Sequence, residues 1–565
     1  SQIRTGLHSF GSRQKSFNEI NLILSIARVP TSNRMGLIQY ISSNLNLELN
    51  PWTNNFKQVL SDKDKDIISN FSTDNINNFR RALEFLENQA KFLIYYYFYK
   101  DKFTHNDLKI LENEKILLLF SENKHKNYFY LIYKEIVEPI IQSSKNEKHS
   151  FIKALNGVYI NSGPSGAPTR GKTEVLPTGK NFFSIDSRGL PTESAWIVGC
   201  ESASQIIDLY KQDNGQDLKK IAISVWATST MRNGGEDICQ ILYLLGVKPI
   251  WDGPSRRVID LEIIPLSILS RPRVDVTLRI SGMFRDAFPQ LISLIYKAIK
   301  LVSLLNEDIK FNPILGSLKN GDSLNRIFGS APGSYGAGLQ ELISNSNWEN
   351  INDFADSYIN WSKWIYSDLN EPIESKKELE NALKNIQVVI HNQDNREHDI
   401  LDSDDYYQFQ GGISSAVKKL QGKFPEIYHG DLSKFKSSKI NKLSYEINKI
   451  VRTRVLNPKW INGMKENGYK GAFEFSATLD YLYAYDATTE LVSDWCYTQI
   501  YKSWICDQNL RKFFIENNPW ALRDLSQRFI EIINRKMWNE STPEILENLK
   551  KIVNLVESKI EKNEY

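Results

Sequence analysis

The run KKIAISVWAT, Lys219 to Thr228, constrains the fold of this chain more than any other stretch. Its apolar and β-branched residues follow one another without helical spacing, as in a strand covered on both faces. Helix-patterned segments flank it. PTESAWIVGCESASQIIDLYKQ opens on Thr192 as an N-cap, and GEDICQILYLLG is stopped by Gly246. RRVIDLEII and RVDVTLRI then read as strands, and FRDAFPQLISLIYKAIKLVSLL as a helix. Strands alternating with helices predict a layered α/β domain.

At 565 residues the chain exceeds one ordinary core, and about three or four domains are expected. Residues 1–150 read as mainly helical, on segments such as NNFRRALEFLENQAKFLIYYYFYK and KNYFYLIYKEIVEPIIQSS. Residues 151–310 read as the α/β domain with a long Gly- and Pro-rich loop at its start, 311–490 as a mixed α/β region, and 491–565 as a helical C-terminal region. The expected fold class is therefore α/β multidomain: a helical N-terminal region, a layered middle domain, then mixed and helical parts.

Composition removes several function classes. Seventy basic against 67 acidic residues leave a net charge of +3, too weak a field to hold nucleic acid. Cys200, Cys239, Cys496 and Cys506 form no C-x-x-C pair, so neither a zinc knuckle nor a disulfide framework is expected. No apolar run reaches the roughly 20 residues of a membrane span, and SQIRTGLHSF has no signal-peptide core. A cytoplasmic protein is expected. The absence of an initial methionine suggests a processed chain or a piece of a longer one.

GAPTRGKT, Gly166 to Thr173, matches the phosphate-loop pattern G-x-x-x-x-G-K-[ST]. A working loop needs a strand leading in and a helix leading out, so that backbone N–H groups surround the phosphates. Upstream, LNGVYINSGPS ends in turn formers; downstream, Pro177 interrupts any helix begun at Lys172. No nucleotide-binding residue is therefore expected. A second glycine-rich stretch, RIFGSAPGSYGAGLQELI, lacks the dinucleotide spacing. Its glycines fit either close approach to a ligand or tight turns before a helix.

The strongest chemical constellation is VVIHNQDNREHDILDSDDYYQFQGG, residues 388–412. His391 stands as if at a strand end, and Asp394, Glu397, His398, Asp399, Asp402, Asp404 and Asp405 crowd in behind it. His429 follows in YHGD. Imidazole with carboxylate suits borderline divalent ions, and the same groups accept protons; Asp and Asn also cap helices and close turns. Downstream, Arg452, Arg454 and Lys459 stand near Tyr469, Phe473, Phe475, Tyr481 and Tyr485. Arginines suit carboxylates and aromatic faces suit a planar ligand, although such aromatics equally build cores. RPRVDVTLRISGMFRDAFP adds Arg271, Arg273, Arg279 and Arg285, any of which could serve only an ion pair.

These segments carry a resemblance. GLHSFG, GPSGAPTRGKTEVLPTGKNFFSIDSRGLPT, TMRNGGEDICQ, RPRVDVTLRISGMFRDAFP, RIFGSAPGSYGAGLQ, HNQDNREHDILDSDDYYQFQGG, NPKWINGMKENGYKGAFEFSATLDYLYAYDATT and NPWALRDLSQRF resemble the large subunit of aerobic cobaltochelatase. That family is related to the porphyrin-binding large subunit of magnesium chelatase. The resemblance runs to about Arg528 and is weak over residues 50–150. TMRNGGEDI favours the cobalt branch. Lys172 and Ala227 stand where the family usually has Arg and Gly. Members are about twice this length, so the chain resembles their C-terminal half, as a fragment or one half of a split subunit.

The resemblance implies insertion of Co²⁺, as substrate, into hydrogenobyrinic acid a,c-diamide on the route to cobalamin. ATP and Mg²⁺ would be used by AAA+-type partner subunits, with accessory chelatase subunits and a separate N-terminal half as further partners. On that basis His391, His398 and Glu397 are the expected catalytic residues, and His391, Asp394, His398, Asp402 and His429 the expected metal residues. Arg452, Arg454, Tyr469 and Phe473 are expected to meet the corrinoid. Alternatives are a magnesium chelatase subunit acting on protoporphyrin IX and a non-catalytic tetrapyrrole-binding scaffold.

Overall fold

The structure, a computed structural model, describes residues 10–14, 16–51, 59–72, 74–100, 113–182, 185–368, 371–434 and 438–562. GLHSFG lies outside them as far as Ser9. The chain divides into two compact units, His8–Phe183 and Ser184–Tyr565.

The first unit is helical. Phe79–Phe98 starts on Asn78, whose side chain accepts from Arg81 N, and buries Phe85, Leu86, Ala90, Leu93 and Ile94 along one stripe. Asn123–Ile132, a π turn at Tyr133–Val137 and Glu138–Leu155 run on as one helical path. The Gly- and Pro-rich segment up to Phe182 belongs to this unit. Within it Lys172 is followed by a single 3₁₀ turn, Thr173–Val175, and then by Leu176 and Pro177, so the phosphate-loop pattern leads into no α-helix. Among the described residues, Ser162–Gly163 pairs with Asn181–Phe182, parallel, at the far end of the same loop.

The second unit is built on an eight-stranded sheet: β1 Lys220–Val225, β2 Asp275–Ile280, β3 Ile327–Gly329, β4 Trp364–Ile365, β5 Ile373–Glu374, β6 Val388–Gln393, β7 Glu426–Asp431 and β8 Lys439–Lys442. The spatial order is β8-β7-β6-β1-β2-β3-β4-β5. The five strands from β7 to β3 are parallel, and β8, β4 and β5 are antiparallel additions at the edges. Residues 220–442 thus build one sheet. RRVIDLEII instead forms Val258–Ile263, which pairs with Val247–Trp251 in a separate antiparallel hairpin.

Side chains alternate across the sheet. Ile221, Ile223, Val225, Val388 and Ile390 enter a core with helices Glu193–Asn214, Glu236–Leu245 and Pro289–Ser303. Ala222, Val389 and Ile427 enter a second core with the C-terminal helices. Thr192 caps Glu193–Asn214 by accepting from Ala195 N, and Gly246 closes Glu236–Leu245 in the left-handed region, as its sequence suggests. The helix expected over FRDAFPQLISLIYKAIKLVSLL is two helices, Gly282–Ala287 and Pro289–Ser303. Pro289 has no N–H to continue the first helix and disfavours helical backbone at Phe288. The mixed α/β architecture is as the alternation of segments indicates.

Candidate functional site

From β1 the sheet grows one way through β2 and β3 and the other way through β6 and β7, so the strand order reverses between β1 and β6. In open α/β sheets, ligands bind outside the carboxyl ends of strands at such a switch point. His391, expected at a strand end, lies within β6 two residues before Gln393, and Trp226 is the first residue past β1.

The sheet register makes a row of polar side chains on one face. Ser224 pairs with Arg279 of β2 and His391 with His429 of β7; Ser224 lies one position past the Ile223–Ile390 pair. Because side chains repeat every two residues, all four point to the same side, toward the C-terminal helices. His391 is 1% exposed and His429 0%. Their ring centroids are 6.2 Å apart.

The two imidazoles differ in their partners. Trp226 Nε1 donates to His391 Nδ1 at 3.3 Å, which leaves the proton of a neutral ring on Nε2. That Nε2 is buried and has no hydrogen-bond partner. Both ring nitrogens of His429 are buried without a hydrogen-bond partner, Nε2 lying 3.9 Å from the buried Glu446 carboxylate, so its ring keeps a lone pair in either tautomer. Ser224 Oγ beside them is also unpartnered. Such groups are costly to bury. Burial pushes the His391 imidazole down to about 3, with His429 and His398 acting in the same direction against Asp394. Burial, then the charges of Lys449 and Arg396, push His429 down to about 3 as well. Both rings are neutral near pH 7; His429 could take a metal ion without first losing a proton, whereas the lone pair of His391 is occupied by the Trp226 N–H.

Tyr406 packs against His391. Its ring lies 4.8 Å from that of His391, and its hydroxyl meets His398 Nδ1 at 2.5 Å. His398 is half-buried and Glu397 exposed, so these two expected catalytic residues stand on the solvent side of Tyr406. Burial pushes the Tyr406 phenol up, with the charge of Asp394 adding to it, so it stays protonated.

The remaining expected ligands are engaged elsewhere. Asp394 is gripped by Arg232 through both carboxylate oxygens, at 2.9 and 2.8 Å, and also receives Ser229 and Asn395. Burial works against the Arg232 charge, but hydrogen bonding and the charge of Asp394 outweigh it and raise its pKa. Asp402 accepts from Asp399 N at 2.6 Å and lies 3.5 Å from Arg454 Nη1. Among the described residues, no group of three or more His, Cys, Asp and Glu side chains could hold a metal ion. His391, Asp394, His398, Asp402 and His429 therefore form a histidine pair with surrounding acids, and not one cage.

The corrinoid-facing expectations part company with the site in the same way. Arg454 is buried and spends its guanidinium on Asp399, at 2.6 and 2.8 Å, where burial pushes the carboxyl up against the pull of Arg454. Arg452 is exposed, 4.5 Å from the Trp495 ring. Tyr469 and Phe473 are exposed near the start of the helix Gly468–Thr489. Tyr485, near its other end, donates to Gln410 at 3.3 Å. A rise of about 1.5 Å per residue sets Tyr469 and Phe473 back from Tyr485 by roughly 24 and 18 Å.

Trp226, Arg232, Tyr406 and Ser224 are site residues that reading along the chain missed. Trp226 had a usable signal, since it follows the buried strand β1 at its carboxyl end. The others become adjacent only through strand pairing. Asn392, on the opposite face, donates to Asp237 and Gln240 at 2.8 Å each and fixes the end of β6 against helix Glu236–Leu245.

Fold and site define a switch-point α/β protein with two imidazoles buried side by side at the switch point. Residues 1–545 match the model of the CobN/Magnesium Chelatase family, and the chain belongs to that family. It is 46% identical over 421 residues to the aerobic cobaltochelatase subunit CobN of Pseudomonas aeruginosa, covering 71% of this chain and 34% of that protein. It is 32% identical over 434 residues to the chloroplastic magnesium-chelatase subunit ChlH of Oryza sativa subsp. japonica, covering 74% and 31%. The catalytic subunit of cobaltochelatase from Mycobacterium tuberculosis superposes with a TM-score of 0.84 at 34% identity, over 98% of this chain and 45% of that one. The chain thus spans about a third of the length of the curated relatives it matches. No helix among the described residues is long and apolar enough to cross a membrane.

Proposed function

We propose that this chain is a large-subunit component, corresponding to the C-terminal part, of an ATP-dependent cobaltochelatase. It acts in the insertion of Co²⁺ into hydrogenobyrinic acid a,c-diamide. The observation that carries the reading is the buried His391–His429 pair with unpartnered ring nitrogens at the switch point. Identity to the cobalt enzyme of Pseudomonas aeruginosa, 46% against 32% for a magnesium-chelatase protein, favours cobalt over magnesium.

Insertion requires a group that takes Co²⁺ from water and groups that accept two protons from ring nitrogens. His429, with a lone pair in either tautomer, leads as ligand or base. His391 presents an N–H from Nε2 and is oriented by Trp226. His398 and Glu397, on the solvent side of Tyr406, relay metal or protons. ATP is hydrolysed by AAA+-type partner subunits, in keeping with the missing helix after Lys172.

The test is Co²⁺ insertion by the complex reconstituted with its partner subunits, using wild type, His391→Ala, His398→Ala and His429→Ala, with thermal melts alongside. Insertion should fall by about 10² or more in the His429 and His391 variants while macrocycle affinity holds, because a group acting on the transition state affects turnover before binding. Full activity in all three would overturn the assignment. A collapsed melt with low activity would return the altered residue to a structural role.

A further inference from the structure

Strand β3 delivers the chain into Ser330–Leu339, where Gly333, Gly336 and Gly338 have positive φ. At Gly338, φ is +84° and a Cβ would lie 2.1 Å from Trp361 Cδ1, so only glycine fits. Two buried arginines hold the segment. Arg279 Nη2 donates to Gly336 O at 2.7 Å, and Arg285 Nη1 donates to Ala331 O at 2.6 Å and Ser334 O at 3.2 Å. Gln408 accepts from Ala337 N at 3.4 Å.

On this fixed mount sits an uncovered aromatic. Tyr335 is 61% exposed. Its hydroxyl donates to Asp286 at 2.9 Å and its ring lies 5.5 Å from the Arg285 guanidinium. A side chain tied at both ring and hydroxyl, yet open to solvent, has little rotamer freedom left to lose on binding.

The mount is joined to the histidine pair. Arg279 stacks on Phe409 at 4.6 Å, Phe409 packs on Trp226 at 4.4 Å, and Trp226 donates to His391. Arg279 and His391 stand on the same sheet face two strands apart, roughly 10 Å. Both Tyr335 and His391 are thus carried at the carboxyl edge of the parallel strands.

We propose that Tyr335 is a stacking platform for the planar face of a metal-free tetrapyrrole, aligning the macrocycle over the carboxyl edge on which the histidine pair lies. The assignment rests on the chelatase reading above. The phenol hydroxyl is already committed to Asp286, so the ring face supplies the contact and a phenyl ring can replace it.

The test titrates hydrogenobyrinic acid a,c-diamide, without Co²⁺ or ATP, into the reconstituted complex, followed by absorbance and fluorescence. Variants are Tyr335→Ala, Tyr335→Phe and Tyr335→Trp, with Tyr159→Ala as an exposed-aromatic control. Tyr335→Ala should bind about tenfold more weakly, Tyr335→Phe within about twofold of wild type, and the control unchanged, a loss of the size expected for one aromatic stacking partner. Emission from Trp at position 335 should be quenched by the macrocycle. Unaltered affinity in Tyr335→Ala, or unquenched emission, would overturn the proposal while leaving the chelatase reading intact. No macrocycle binding by the wild-type complex would remove that reading and the platform together.

Discussion

Arg232 closes on Asp394 with two nitrogens of its guanidinium, Nε to Oδ2 at 2.9 Å and Nη2 to Oδ1 at 2.8 Å. The pair ties the helix Ala227–Asn233, which leaves β1, to the segment that leaves β6, across the point where the strand order reverses. A carboxylate that the sequence offers as a metal ligand thereby fastens the two strand ends together.

Removing the arginine should therefore be structural in its effect. Arg232→Leu leaves Asp394 buried and uncompensated, and should cost about 3 kcal/mol in urea unfolding. Arg232→Lys keeps the charge but loses the two-pronged geometry and should fall between. Adding Asp394→Asn to Arg232→Leu should recover part of the loss; a fully additive double variant would mean the two side chains are not energetically coupled.

His429 should behave in the opposite way. An imidazole with two unpartnered buried nitrogens costs the folded state about 1–3 kcal/mol. His429→Leu should leave the melting temperature unchanged or raise it, while Co²⁺ insertion is lost. A fall in melting temperature with insertion preserved would show a purely structural histidine.

Acid should destabilise the protein through the same pair. In the folded chain both rings hold off protonation until about pH 3, whereas an unfolded histidine titrates near 6.5. Between these values the unfolded state binds more protons, so stability falls as pH drops from about 6.5 toward 3. Each ring should contribute a loss of about 2 kcal/mol at pH 5. The comparison is denaturant unfolding from pH 7 to 4.5 for wild type and the His391→Leu/His429→Leu double variant, whose pH dependence should be flatter.

Lys172→Ala should leave ATP affinity at the background level of this chain. Saturable Mg²⁺-dependent binding, lost on substitution, would mean that the 3₁₀ turn after Lys172 rearranges into a helix.

Much of this was legible along the chain because its signals are local. Strand β1, the Thr192 cap and the Gly246 stop are each written within a few residues. The break at Phe288 was also written, in Pro289, but the strong apolar periodicity on either side of it argued for one helix. His391 was recognisable because a polar residue ends a β-branched run. Its partners were not: pairing with His429 depends on the β6–β7 register, and Asp394 is neutralised by an arginine far upstream. Arg454 looked available for a ligand because Asp399, which occupies it, reads along the chain as one of the metal-seeking acids.

The hydrogen bond from Trp226 to His391 joins positions 165 residues apart, and the histidine row needs β1, β6 and β7 zipped together in one register. Loop-closure entropy must be overcome across that whole interval before the first imidazole meets its indole. The site thus draws on residues from distant parts of the chain, and a chain severed between Trp226 and His391 would keep it only if both pieces re-pair. Ring-proton resonances of these two buried histidines would report, at a single spot, that β1, β6 and β7 have been brought into register.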